Sequence, residues 1–166
     1  MTPVFSWLES TAFSMWMRES PSIFAFPAVL CLHAIGMAAV VGVQTCISLR
    51  ILGIAPEIPL RELRRFLPLM WAGFWLNAAS GVALLIAYPT KAFTNPVFYL
   101  KLFFIALALR LVTTIARYLV DDPGRVAAPG RYDARWLAGA ALACWAGAIT
   151  SGRFLAYTYS RLLADW

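Results

Sequence analysis

The stretch FPAVLCLHAIGMAAVVGVQ, Phe26 to Gln44, has no charged side chain and contains His33, the only histidine in the chain. A run this apolar reads as part of a helix crossing a hydrocarbon core roughly 30 Å thick, which takes about 20 residues. Hydrocarbon offers an imidazole no hydrogen-bond partner. A histidine there implies a ligand, a bond to a neighbouring helix, or water. The rest of the chain decides which.

Composition sets the class. The 166 residues are 61% hydrophobic and 13% charged, where soluble domains carry about 25% charged residues. So few polar side chains cannot cover a soluble domain, and the length suits a single domain, residues 1–166. The expectation is an all-α integral membrane protein. Segments 21–49, 66–88, 97–117 and 136–159 are each long enough to span. Ser20-Pro21 and Asn95-Pro96 place a capping oxygen before a proline at the first helical position, and Thr2-Pro3 repeats the signal. Pro27 and Pro68 fall in or near first turns, with a kink conceivable at either.

Residues 3–19 are too polar and too short to span. Val4, Trp7, Leu8, Thr11, Met15 and Trp16 recur at helical spacing, which predicts one amphipathic helix lying at the interface. No basic residue precedes Arg18, so the pattern is not that of a cleaved signal peptide.

The basic residues orient the chain. Arg50, Arg61, Arg64, Arg65, Arg117, Arg125, Arg131 and Arg135 fall on one side, and Arg18, Lys91 and Arg161 on the other. The positive-inside rule puts the arginine-rich loops in the cytoplasm and both termini outside. The net charge of +6 then belongs to topology and anionic headgroups, and no nucleic-acid partner is implied.

Lys101, Arg110 and Arg153 lie inside spans, and no aspartate or glutamate does. Arg110 is close enough to the cytoplasmic end to reach water. Lys101 and Arg153 lie about 6 and 10 Å below the opposite end, and His33, counted from Pro21, about 18 Å deep with Asn77 at similar depth. The candidate site is therefore His33, Asn77, Lys101 and Arg153, with Ser80, Thr150 and Ser151 nearby. Uncompensated cations in hydrocarbon cost about 2.5–3.5 kcal/mol each at a helix centre and less near the ends. Water, headgroups, carbonyls or an anionic ligand must offset that. The missing acids also argue against a proton- or sodium-coupled transporter.

His33 and Met37 share a helix face, so imidazole and thioether form a candidate soft-metal pair, which suits copper. Neighbouring turns of one helix cannot supply opposite axial ligands to a haem. Cys31, Cys46 and Cys144 form no CxxC pair. Gly139, Ala143, Gly147 and Ser151 recur every four residues, and Gly36, Val40 and Gly42 cluster in the first span. Such small-residue strips allow close helix approach, and the expected product is a compact four-helix bundle with an interior site.

With its motifs LRILG, NPVFYLK and GRFLAY, the chain resembles a family of small bacterial four-helix membrane proteins of unknown function, a resemblance that implies the bacterial inner membrane. The pattern covers nearly the whole chain and falls on His33, Gly36, Arg50, Gly53, Asn95, Lys101, Gly152, Arg153 and Tyr157. More distantly, the histidine in span one and lysine in span three are similar to the copper-resistance D membrane family and to bacterial haem-dependent protoporphyrinogen oxidases. That similarity implies a haem b or copper site in the outer half of the bundle. With one histidine, bis-histidine ligation does not carry over. Three expectations follow: a haem or other redox-cofactor site with Lys101 and Arg153 meeting carboxylates, a copper-handling protein using His33 and Met37, or an accessory subunit docking other membrane subunits or copies of itself.

Overall fold

The computed structural model describes residues 3–121 and 132–162. Among them every regular element is helical: α1 (Pro3–Glu9), α2 (Ala12–Glu19), α3 (Phe26–Leu52), α4 (Leu60–Leu63), a 3-10 turn (Arg64–Phe66), α5 (Leu67–Ala87), α6 (Pro89–Phe93), α7 (Pro96–Asp121) and α8 (Tyr132–Leu162). Three stretches, Phe26–Leu52, Leu60–Ala87 and Pro96–Arg117, are long and apolar enough to cross a bilayer, which supports a multi-pass membrane protein. The expected fourth span lies in α8, which is 31 residues long but is not among those three. Its glycines, Thr150, Ser151 and Arg153 dilute its apolar character.

The first span begins later than the Ser20-Pro21 signal predicts. Ser20 closes α2 through its N–H to the Trp16 carbonyl (3.2 Å). The hydroxyls of Ser20 and Ser22 then accept from the Ser22 and Phe24 amides, both at 3.2 Å. These local bonds hold the linker in turns, and α3 starts at Phe26 with Pro27 in its first turn. His33 therefore sits only about 10 Å along the helix, not near its middle. Pro68 likewise falls in the first turn of α5, where a proline kinks nothing. Asn95 behaves as expected: its Oδ1 accepts from the Val97 amide at 3.0 Å.

The expected single amino-terminal helix is two. The Ser10 and Thr11 hydroxyls donate to the Trp7 and Leu8 carbonyls at 2.8 and 2.7 Å. Thr11 then accepts from Ser14 N–H as the cap of α2. Hydroxyls that satisfy the backbone locally break a helix this way.

The long helices pack antiparallel, α3 on α5 and α7 on α8, with α3 also touching α8. At the α3–α5 crossing a Cβ on Gly36 would lie 2.6 Å from the Asn77 amide nitrogen and 2.8 Å from the Gly73 carbonyl oxygen. One on Gly73 would lie 2.6 Å from the Ala39 Cβ. Only a bare backbone on both helices admits this approach. Gly42 meets nothing within 4 Å.

The expected strip on α8 departs from its prediction: Gly139 meets nothing within 4 Å and Ala143 is exposed. Gly147 does receive the Phe104 ring, and Ser151 is buried. The buried face runs instead through Ala138, Ala141, Cys144, Trp145, Ala148 and Ser151. A repeat of four drifts about 40° per step on a helix of 3.6 residues per turn, so alternating steps of three and four hold the contact line.

At the arginine-rich end Val40, Ile47, Met70, Val112, Ala141 and Trp145 belong to one apolar core. Gly53, at φ +103°, closes α3 in the left-handed conformation that glycine adopts without strain. Arg50 donates to the Ile58 and Pro56 carbonyls at 2.5 and 2.6 Å, and Arg135 to the Leu52 carbonyl at 3.1 Å. Arg50 and Gly53 thus shape a turn. Arg125 and Arg131 lie outside the described residues, as do Thr2 and the side chain of Arg161.

Gly36→Val should wedge α3 from α5 and cost about 1–3 kcal/mol, read as a lower melting temperature in detergent. Gly42→Val, with nothing within 4 Å, should leave the melting temperature close to that of the wild type.

Candidate functional site

The glycine crossing sets the geometry of His33. One turn before Gly36, the imidazole faces the carboxyl-terminal half of α5, where Gly81 leaves room: a Cβ there would lie 3.2 Å from His33 Cε1. His33 Nδ1 is 3.0 Å from the Asn77 carbonyl oxygen and 3.1 Å from Ser80 Oγ. In return Asn77 Nδ2 donates to the His33 carbonyl oxygen at 2.7 Å. Ser80 Oγ is itself 2.7 Å from the Leu76 carbonyl, to which it donates. The Asn77 carbonyl can only accept, so Nδ1 carries the proton, and the neutral ring keeps its lone pair on Nε2. Nε2 has no hydrogen-bond partner among the described residues. The ring is oriented on one nitrogen and available on the other, as in metal-ligating histidines whose second nitrogen donates to a carbonyl.

Two adjoining clefts meet at His33, Leu30, Leu84, Lys101 and Gly152. One, of about 570 Å³, adds Cys31, Met37, Ala148 and Arg153 to its wall. The other, of about 380 Å³, runs toward the α5–α6 turn and adds Phe26, Tyr88, Lys91 and Phe98. Both lie in the half of the protein away from the arginine-rich loops, and their volumes are in the range of small-molecule sites.

Lys101 is the unusual group. It is half-buried in the first turns of α7, its Cδ, Cε and Nζ passing 3.8–3.9 Å from the Cβ position of Gly152 on α8. Arg61 and Arg65 pair with Glu62 in the arginine-rich loop, far from the cleft. Lys101 makes neither an ion pair nor a hydrogen bond among the described residues. Asn95 holds this end of α7 against α8: it is 2% exposed and donates to Thr158 Oγ1 at 2.8 Å.

The four expected site residues thus separate by role. His33, Lys101 and Arg153 line one cleft, and Met37 lies on the same wall. Asn77 does not line it; its side chain is spent on the His33 backbone. Arg153 is exposed rather than interior, at the rim of the cleft. Among the described residues no group of three His, Cys, Asp or Glu side chains comes together to hold a metal ion. The aromatic wall of Phe26, Tyr88 and Phe98 and the recess at Gly81 were not anticipated. Gly81 follows Asn77 by four residues, a spacing that puts it on the same α5 face.

No protein-family model, curated protein or solved structure matches this chain.

Asn77→Leu should remove the cross-helix bond to the His33 carbonyl and cost about 0.5–1.5 kcal/mol, read as a fall in melting temperature. Ser80→Ala should cost less, because the Asn77 backbone carbonyl still receives Nδ1–H.

Proposed function

We propose that this chain is a four-helix membrane protein that binds an anionic, apolar-bodied redox cofactor in the cleft around His33, with haem b as the best fit. The single observation that carries the reading is the histidine: Nδ1 is engaged by the Asn77 carbonyl at 3.0 Å, which leaves Nε2 for a ligand. The donor set suits haem in two further respects. The cleft wall is mostly apolar, and it presents Lys101 and Arg153 with no carboxylate, as carboxylate arms of a cofactor would require. Haem bound there would supply one-electron redox chemistry. His33 would hold it by Nε2, the α5 bonds would keep the ring oriented, and Lys101 and Arg153 would meet its carboxylates. The resemblance to haem-dependent protoporphyrinogen oxidases points the same way. Copper is less well served, since His33 and Met37 offer two donors and no cluster of metal-binding side chains completes them among the described residues.

In this reading α8 is the fourth span. It packs along α7 and α3, and Arg153 near its end reaches the cleft rim. Helices α1 and α2 lie at the interface: Val4, Trp7, Phe13, Met15 and Trp16 are exposed while Ser14 and Met17 are buried, which is the sidedness of an amphipathic segment on lipid. The membrane is the bacterial inner membrane, the arginine-rich loops face the cytoplasm, and both termini lie outside. Partners are the bilayer and, as an accessory-subunit alternative, other membrane subunits or a second copy.

Detergent-purified protein reconstituted with haem b should give a Soret band that His33→Ala abolishes. Arg153→Ala should lower haem retention several-fold, while Arg110→Ala, remote from the cleft, should not. No Soret band, together with stoichiometric copper on metal analysis, would transfer the reading to the copper alternative. Neither signal would favour the accessory subunit.

A periplasm-active alkaline phosphatase fused after Trp166 should be active, and a fluorescent reporter that matures only in the cytoplasm should stay dark there. The reverse would invert the topology and move the cleft to the cytoplasmic half.

A further inference from the structure

The cleft beside the α5–α6 turn has chemistry of its own. Its wall is Phe26, Leu85, Tyr88, Phe98 and Leu155 around two cations, Lys91 and Lys101. Phe26 and Tyr88 meet edge to face, 5.9 Å between centroids, and fix one side. Phe98 is held on the other by Phe93 at 5.5 Å, which stacks on Phe5 of α1 at 5.2 Å. The cleft thus lies where the helices end: Phe26 opens α3, Tyr88 follows α5, and Lys101 is one to two turns into α7. Between Glu62 and Asp121 the chain contains no acidic residue, and none lines the cleft.

A half-buried ammonium in an apolar wall is stabilised by an anion brought from outside. At the depth of the helix ends in a bilayer, the abundant anions carrying apolar tails are lipids. We infer that this cleft is a specific site for one anionic lipid, whose phosphate or carboxylate is held by Lys101, with Lys91 nearer the surface. Its chain lies along Leu30, Leu84, Leu85 and Leu155. The inference goes beyond the cofactor reading: it needs no bond to His33 Nε2, but both ligands would use Lys101 and so compete for it.

The test is native mass spectrometry of the full chain without haem, released from neutral detergent after exposure to dioleoylphosphatidylglycerol, oleate or dioleoylphosphatidylcholine. One saturable adduct of phosphatidylglycerol or oleate, retained at least tenfold better than phosphatidylcholine, is expected. Phosphatidylglycerol alone identifies a headgroup site, and oleate alone a free-acid site. Lys101→Met should remove the preference, Lys101→Arg should keep it, and Arg110→Met, outside the cleft wall, should leave it unchanged. If Lys101→Met does not fold, Phe98→Leu serves in its place and should weaken retention of the same adduct. Equal retention of all three lipids, or a preference that survives Lys101→Met, would overturn the proposal. A missing Soret band would touch only the haem reading.

Discussion

The backbone contact between Gly36 on α3 and Gly73 on α5 is the constraint on which the rest of the site depends. In lipid, apolar side chains gain little by leaving a solvent as apolar as themselves, so helices associate through close packing and cross-helix hydrogen bonds. Two facing glycines let the backbones approach until a Cβ on either would overlap the other helix. At that separation a side chain can reach the partner's backbone one turn away. The reciprocal pair follows, His33 Nδ1 to the Asn77 carbonyl and Asn77 Nδ2 to the His33 carbonyl, at 3.0 and 2.7 Å.

That pair resolves the problem of an imidazole in an apolar span. Half of its hydrogen-bonding capacity is met by the neighbouring helix, and the same bonds fix which nitrogen stays open. An exposed or freely rotating ring would divide its lone pair between two nitrogens and many directions. Here Gly81 seats the ring edge, Ser80 and Asn77 hold one nitrogen, and the other is left beside a cleft that also contains a lysine. A second contact, Asn95 with Thr158 at 2.8 Å, does for α7 and α8 what the glycines do for α3 and α5. It holds the start of α7 against the end of α8 and so brings Lys101 beside Gly152.

Polar residues in this chain therefore divide between bracing and binding, and their types alone do not distinguish the two. Asn77 sits midway along α5 and Asn95 caps α7, and both amides are spent on structure. Arg50 and Arg135 are spent on turn carbonyls at the arginine-rich end. Lys101 is left without such an assignment among the described residues.

The sequence by itself determined the all-helical class, the approximate position of the long apolar helices, the Asn95 cap, and the absence of acids that makes Lys101 anomalous. These are properties of composition and local spacing, which need no neighbour to be read. Tertiary structure decided the rest. The start of α3 moved from Pro21 to Phe26 because Ser20 and Ser22 bind nearby amides, and that raised His33 by about 8 Å toward the helix end. The small-residue strip at Gly139 and Ala143 missed because the angle at which helices cross selects the buried face, and a repeat of four drifts off it. Asn77 has the type and depth of a binding residue, yet its side chain bonds to the His33 carbonyl, 44 positions away in the chain. A contact of that range depends on how two helices meet, and one helix's sequence cannot state it.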